Sequence, residues 1–322
     1  MKIQRFGAPA ALALVGALAL SACGGQQAAG GSNESGTGAA LSGTITSDGS
    51  STVGPLTSAA AELFMTENTG VNITVGTSGT GGGFKKFCEG QTQISNASRP
   101  IKDEEKAACE AKGIEYQEIV VANDALTVVA NKDNAFLKCL TVEELKTLWG
   151  PAATGKVTTW NQVNSSFPAE DIKLYGPGTD SGTFDYFTAE VNGEEGASRT
   201  DYEPSEDDNV IVQGVSGDKN ASGYFGYTYF EENSEALKAV EVDNGKGCVA
   251  PSAETARDGS YAPLSRPLYI YIDKKAWASN PALKSFVGFF VENETKVAEA
   301  AKYIPLSDEQ KKTAQEELTA LG

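Results

Sequence analysis

Three times along this chain a β-like run ends in a turn of serine, threonine and glycine, and each time an amphipathic helical pattern follows directly. The turns are Asp48-Gly49-Ser50-Ser51-Thr52, Ser78-Gly79-Thr80-Gly81-Gly82-Gly83 and Asp180-Ser181-Gly182-Thr183. Strands alternating with helices predict an α/β fold with largely parallel sheets. Such sheets gather the turns at the carboxyl ends of their strands, where ligands bind. Each turn offers unpaired helix N-terminal amides, the positive end of a helix dipole, and hydroxyls able to donate. Glycine lets a ligand approach the backbone closely. Any single turn is explained as an ordinary N-cap; three in one α/β chain predict an oxyanion site.

The remaining pattern extends the alternation. A β-like run at 43–46 precedes a helix with Leu56, Ala59, Ala60, Leu63 and Phe64 on one face, stopped at Asn68-Thr69-Gly70. Residues 71–75 read as a strand, Phe84, Phe87 and Cys88 as part of a short helix, and 102–112 as another helix. The long β-rich run 119–130 is interrupted by Asn123-Asp124, which reads as a crossing between lobes. Further on, 141–149, 183–191 and 280–292 read as helices, and 171–175 and 268–272 as strands. Residues 211–215 and 224–229 also read as β-rich, and the acidic stretch 200–208 reads as a solvated loop. Crossings near 122–127 and 261–267 divide the chain into lobe one, 44–124 plus 265–322, and lobe two, 125–264.

The amino terminus points outside the cytoplasm. Lys2 and Arg5 precede an apolar run, 10–20, that is too short to span a bilayer. It ends in Leu20-Ser21-Ala22-Cys23, which resembles a bacterial lipobox and predicts a signal peptide over 1–22 with lipidation of Cys23. An ordinary secretory signal is the alternative. Residues 23–43 are rich in Gly, Ser and Gln and predict a flexible tether. Its reach is about 25 Å, so the folded part is expected to be extracytoplasmic and lipid-anchored to the bacterial cell membrane. The four other cysteines, Cys88, Cys109, Cys139 and Cys248, form an even set that suggests two disulfides. Three pairings are open, and Cys88–Cys109 with Cys139–Cys248 is the favoured one. A metal site finds no support, with no C-x-x-C spacing and no histidine.

The missing histidines also bear on catalysis. Asp180-Ser181-Gly182 could present a nucleophilic serine, but a serine hydroxyl needs a nearby base, most often histidine. A Ser-Lys pair at S-x-x-K spacing is absent too, because Phe184 stands three residues after Ser181. Nucleotide loops fail: Gly82-Gly83 replaces the Lys-[Ser/Thr] of a P-loop, and Phe84 ends a would-be G-x-G-x-x-G. The expectation is a binding protein without catalysis, cofactor or metal. A net charge of −17 argues against nucleic acid and makes any anion site depend on local donors.

Five segments carry a family resemblance: GSSTV (49–53), GTGGGFKKF (79–87), ISNASRPI (94–101), TDSGTFDYF (179–187) and PLSRPLYIYI (263–272). In that order, and over essentially the whole chain after the tether, the sequence resembles the Pst-type phosphate-binding proteins, the substrate-capture subunits of phosphate ABC transporters. The resemblance implies a type II periplasmic-binding-protein fold, two α/β lobes joined by two crossing strands and closing on dehydrated inorganic phosphate. It also implies a membrane permease as partner, with the binding protein acting as a monomer. Carried over turn by turn, the ligand donors are Ser51 and Thr52, then Thr80, then Ser181, Gly182 and Thr183 in the opposite lobe. Ser50, Ser78, Gly81, Asn96 and Ser98 are secondary candidates, with capping the alternative role of Ser50 and Ser78.

Two positions depart from the family pattern. Pro177 stands four residues ahead of Ser181, where relatives place an arginine, and Arg99 stands after Ala-Ser, where they place an aspartate. Arg99 becomes the expected cation, able to meet two oxygens at once; its alternative is a structural salt bridge. Hydrogen phosphate has a proton to donate and sulfate has none, so a carboxylate acceptor would select between them. Asp180 and Asp48 are the candidates, with capping the alternative for Asp180. The competing functions are binding of another tetrahedral oxyanion such as sulfate, or a secreted serine hydrolase or phosphatase.

Overall fold

A computed structural model describes residues 41–179 and 181–322. The expected signal peptide, Cys23, most of the tether and Asp180 lie outside the described residues. β1 (Ser42–Gly49) leads into α1 (Val53–Glu67), and β2 (Gly70–Val75) into α2 (Gly79–Cys88). β3 (Ile94–Ala97) and α3 (Asp103–Ala111) precede β4 (Tyr116–Asn131), an uninterrupted strand of 16 residues. Next come β5 (Cys139–Thr141), α4 (Val142–Trp149), β6 (Lys173–Gly176), α5 (Gly182–Phe187), β7 (Glu203–Pro204) and α6 (Asp208–Gly217). β8 (Ala221–Gly226), α7 (Tyr227–Glu232), β9 (Leu237–Ala239), β10 (Glu241–Asp243), β11 (Cys248–Val249) and α8 (Ala253–Arg257) follow. β12 (Ser265–Asp273) returns along β4, and α9 (Lys274–Ser279), α10 (Pro281–Glu292), α11 (Glu294–Ala300) and α12 (Asp308–Thr319) complete the chain.

The main sheet runs β2-β1-β3-β12-β4-β8-β6-β7, with β9 also on β4, and a small second sheet runs β11-β10-β5. Its flanks are parallel, as the alternating pattern predicts: β1 with β2 and β3, and β8 with β6. The middle is antiparallel. β12 pairs with β4 from Asp273↔Tyr116 to Ser265↔Ala125, so the two crossings form one ribbon. The sheet is therefore mixed, not largely parallel, because a crossing strand that returns must run against its predecessor.

Along β4, burial changes sides at Asn123-Asp124. Ile119, Val121 and Ala122 pack with Leu56, Phe64, Phe286 and Phe290 in one core. Ala125, Leu126 and Val128 pack with Trp149, Trp160, Phe187 and Tyr224 in another. Fully burying each such side chain contributes roughly 1.5–3 kcal/mol, so each lobe holds a core of its own. Ile304, far along the C-terminal segment, reaches into the second core and pairs with Asn123 through both backbone groups. The sulfurs are bonded Cys88–Cys109, which staples α2 to α3, and Cys139–Cys248, which joins β5 to β11. Both are the pairs favoured by the sequence.

Other expectations change. Residues 211–215 are helical, in α6, where Ile211, Val212 and Val215 bury one face and the Asp207 carboxylate caps by accepting from Asn209 N. Their β-branched side chains favour strands, but the helical spacing and the cap prevail. The β-rich segment 224–229 ends at Gly226, after which Tyr227 starts α7. The 183–191 helix is α-helical only to Phe187 and continues as a π-turn over Thr188–Asn192. Residues 200–208 are more than a loop, since Glu203–Pro204 pairs with β6.

Candidate functional site

The first helix start is built by Ser50. Its Oγ accepts from Thr52 N (3.2 Å) and Val53 N (3.4 Å), and its own N donates to Asn96 O (2.9 Å). That leaves Ser51 and Thr52 outside the cap. Ser51 Oγ has no hydrogen-bond partner among the described residues, while Thr52 Oγ1 accepts from Arg266 Nη2 at 3.0 Å. Tyr303 O–H donates to Thr52 O at 2.7 Å and ties the C-terminal segment to the same turn. With an arginine N–H on its lone pair, the Thr52 hydroxyl proton is directed elsewhere.

The start of α5 arrives from the other lobe. Ser181 caps it by accepting from Thr183 N at 3.2 Å. Gly182 then lies so close to α1 that a Cβ added to it would be 2.8 Å from both Ser51 Oγ and Thr52 Oγ1. No side chain fits there without displacing those hydroxyls, which explains glycine at this position. Two helix N-termini thus meet head to head, with two hydroxyls between them.

The second turn is satisfied differently. Asp48, at the end of β1, accepts from Ser78 N (3.1 Å) and Ser78 Oγ (2.6 Å) and pairs with Lys86 at 2.5 Å. Burial works to raise the Asp48 pKa, but the bonds from Lys86 and Ser78 prevail and hold it below the ordinary carboxylate value. Thr80 Oγ1 and Ser98 Oγ are 3.1 Å apart, and Ser98 N donates to Thr80 at 3.3 Å. Asp48, one of the two candidate proton acceptors, is therefore committed to this turn.

Arg99 is committed as well. Its Nη1 and Nη2 each donate to Glu105 at 2.8 Å, and Nη1 also reaches Pro100 O. Arg266, within the segment PLSRPLYIYI, is a cation at this site that no local motif marks. It lies opposite Asp124 in the β12–β4 ribbon, its Nε donates to Asp124 Oδ2 at 3.2 Å, and its guanidinium carbon sits 3.5 Å from the centre of the Tyr186 ring. Asp124 is buried; burial pushes its pKa up and Arg266 opposes that rise. The signal that could have found this pair is two opposite charges, one in each of the two crossings near 122–127 and 261–267.

A cleft of about 870 Å³ brings most of the expected residues together: Ser50, Ser51, Thr52, Ser78, Thr80, Gly81, Ser98, Arg99 and Gly182 all line it, with Arg266. Thr183 instead faces a smaller adjoining cavity of about 100 Å³ that also touches Asp124. Asn96 is fully buried beneath the first turn, where its Oδ1 accepts from Thr57 Oγ1 at 2.9 Å, so it does not reach the cleft. Asp185, Glu190 and Glu195 form an acidic wall opposite. Burial, reinforced by repulsion from Glu195 and opposed by Arg266, raises the Asp185 pKa. The only group of three potential metal ligands among the described residues contains the disulfide-bonded Cys139 and Cys248, with Glu241, which leaves no thiolate for an ion.

Comparison with known proteins adds the following. The family model for the PBP superfamily domain matches residues 34–294. Protein SphX of Synechocystis is 51% identical over 82% of this chain and 79% of its own length. Phosphate-binding protein PstS of Staphylococcus saprophyticus is 46% identical over 95% of this chain and 90% of its own. Among solved structures, a possible phosphate binding protein from Planctomyces limnophilus is 46% identical, with a TM-score of 0.82 over 87% of this chain and 99% of that one. A putative phosphate ABC transporter substrate-binding protein from Clostridium perfringens, solved with bound phosphate, is 28% identical, with a TM-score of 0.57 over 82% of this chain and 100% of that one.

Proposed function

This chain belongs to the PBP superfamily, among the Pst-type phosphate-binding proteins, and from that premise we propose that it captures inorganic phosphate outside the cytoplasm and delivers it to the permease of an ABC importer. The observation that carries the reading is the meeting of two helix starts across the cleft, with Gly182 against the Ser51 and Thr52 hydroxyls. N–H and O–H donors converge there, and a guanidinium stands beside them. A dehydrated tetrahedral anion can exchange its water for such donors, each contributing about 1.5–3 kcal/mol to a charged acceptor. Because the donors come from both lobes, the bound anion holds the lobes together, which is hinged closure around a ligand.

The phosphate donors are Ser51 and Thr52 in the turn before α1, Gly182 at the start of α5 with Ser181 as the cap that orients it, and Thr80 with Ser98 beside the second turn. The lobes are 44–124 with 265–322, and 125–264. The protein acts as a monomer, without catalysis, and is held to the membrane by a lipid on Cys23 after removal of 1–22, a reading supported by Leu20-Ser21-Ala22-Cys23. Calorimetric titration with phosphate, arsenate and sulfate tests the function. Sub-micromolar phosphate binding, about −8 kcal/mol or better, with sulfate at least about a hundredfold weaker, is the expected result, with Asp180 as the remaining candidate to accept the proton that hydrogen phosphate donates and sulfate lacks. Equal affinities for phosphate and sulfate would overturn the phosphate assignment.

A further inference from the structure

We propose that the cation meeting the bound oxyanion is Arg266, supplied from the crossing ribbon between the lobes, and not Arg99 of the first lobe; this rests on the oxyanion-binding reading above. The two arginines line the same cleft but differ in what their N–H groups already do. Arg99 places both terminal nitrogens on one carboxylate, Glu105, and a side chain of α3 therefore neutralises it in place. Glu105 also accepts from Lys102 N at the start of α3. Releasing Arg99 to a ligand would break a bidentate pair and leave the Glu105 carboxylate with the Lys102 amide as its remaining donor.

Arg266 is fixed but not used up. A guanidinium has five N–H donors. One goes to Asp124 Oδ2 and one to Thr52 Oγ1, which leaves three. Among the described residues, Nη1 has no hydrogen-bond partner. Its side chain is only 14% exposed, so the remaining donors are held in a confined space at the edge of the cleft. The Tyr186 ring beneath the guanidinium plane keeps the fork in one orientation.

Arg266 and Asp124 face each other in register on the two crossing strands, at the edge of lobe one where the chain passes into lobe two. Arg266 nevertheless touches both jaws, Thr52 at the start of α1 and Tyr186 in α5. A phosphate oxygen held between the Thr52 hydroxyl and the Gly182 amide would lie beside this guanidinium. The charge is thus built into the hinge, and closure brings the α5 amides to it.

The test is calorimetry on the purified protein with inorganic phosphate and with sulfate, comparing wild type, Arg266→Gln, Arg266→Lys, Arg99→Gln and the double variant Arg266→Gln/Asp124→Asn. Arg266→Gln is expected to weaken phosphate binding by roughly a hundredfold or more, as loss of one member of a desolvated charge pair does. Arg266→Lys should recover part of that loss, because it restores the charge without the fork. Arg99→Gln should stay within about threefold of wild type, as loss of a partly exposed ion pair outside the ligand shell does. Arg266→Gln leaves the Asp124 carboxylate buried and unpaired. The double variant removes that charge, and a hundredfold loss persisting in it, with a wild-type thermal midpoint, separates ligand binding from folding. If Arg266→Lys and the double variant both bind phosphate within threefold of wild type, or if Arg99→Gln alone abolishes binding, the assignment to Arg266 is wrong while the functional reading stands. If wild type binds no tetrahedral anion, the functional reading falls and the assignment falls with it.

Discussion

The turn before α1 and the turn before α2 are written in the same residues and do different things. Both follow a parallel strand and both open a helix. At α2, however, Asp48 accepts from Ser78 through backbone and side chain, and Thr80 is paired with Ser98. At α1 the cap is Ser50, which leaves Ser51 without a partner among the described residues and Thr52 polarised by Arg266. The difference is one carboxylate. Asp48 lies at the carboxyl end of β1 and points toward the second turn, so its charge satisfies that turn and leaves the first to recruit an anion from outside.

Gly182 gives the most severe way to break this contrast. In Gly182→Val a branched side chain would enter the space 2.8 Å from Ser51 Oγ and Thr52 Oγ1 and 3.2 Å from Thr52 N. Overpacking of that kind costs up to about 3 kcal/mol, roughly a hundredfold in Kd. The loss should appear in phosphate calorimetry, because the added side chain fills the space between the two helix starts. A lowered ligand-free midpoint with unaltered affinity would show that the contact is mere packing.

Thr52→Ala and Thr80→Ala sharpen the contrast directly. Each removes one hydroxyl lining the cleft. Removing Thr52 takes away a donor to a charged ligand and the acceptor that holds Arg266, an expected loss of about 2 kcal/mol, roughly thirtyfold in Kd. Removing Thr80 should cost about threefold, since its hydroxyl already has Ser98. Equal losses would mean that both turns serve the ligand alike.

Asp48→Asn tests the other side of the comparison, through stability and not affinity. The folded Asp48 carboxyl is held below its ordinary pKa: burial would raise it, but Lys86 and Ser78 together outweigh burial. A depressed folded pKa contributes stability above the unfolded value, near pH 4, which is lost as pH falls through the folded value. At pH 7 the substitution should therefore lower stability by about 1 kcal/mol. The difference between variant and wild type should shrink on acidification below about pH 4. Denaturant titrations at pH 7 and pH 3 check both statements. A difference that grows toward pH 3 would contradict them.

Much of the fold was legible because hydrophobic period and turn chemistry agree along the first half of the chain. The α1 face through Leu56, Ala60 and Phe64 and the polar break at Asn123-Asp124 both follow from side-chain character alone. The α6 segment was not legible as helix, because Ile211, Val212 and Val215 carry strand propensity and only packing on Phe225 and Val129 shows which period is used. In the site, hydroxyls and glycines announced themselves by their place after strands. Charges did not, since a guanidinium reaches several residues from its backbone. Whether Arg99 meets a ligand or Glu105, and whether Arg266 meets Asp124, depends on which strands are neighbours. That pairing is a property of the β4–β12 ribbon and not of either local sequence.

The smallest expected effect has an informative sign. Phosphate approaches a chain of net charge −17. The basic side chains on the α2 flank, Lys86, Arg99 and Lys102, are countered by Asp48, Glu105 and the facing acidic wall of Asp185, Glu190 and Glu195. If capture rests on the two helix starts and one buried arginine, the long-range field is repulsive and only short-range donors attract. Raising the ionic strength from 0.01 to 0.15 M shortens the Debye length from about 30 Å to about 8 Å. That screens the repulsion while leaving contacts inside the cleft nearly untouched, so the association rate in stopped flow should rise by about two- to threefold. A cleft that steered its ligand through the α2 flank would show the opposite, a rate that falls with salt. Neutralising the acidic wall with Glu190→Gln and Glu195→Gln should raise the low-salt rate and flatten its salt dependence, because both carboxylates line the cleft and add to the repulsion.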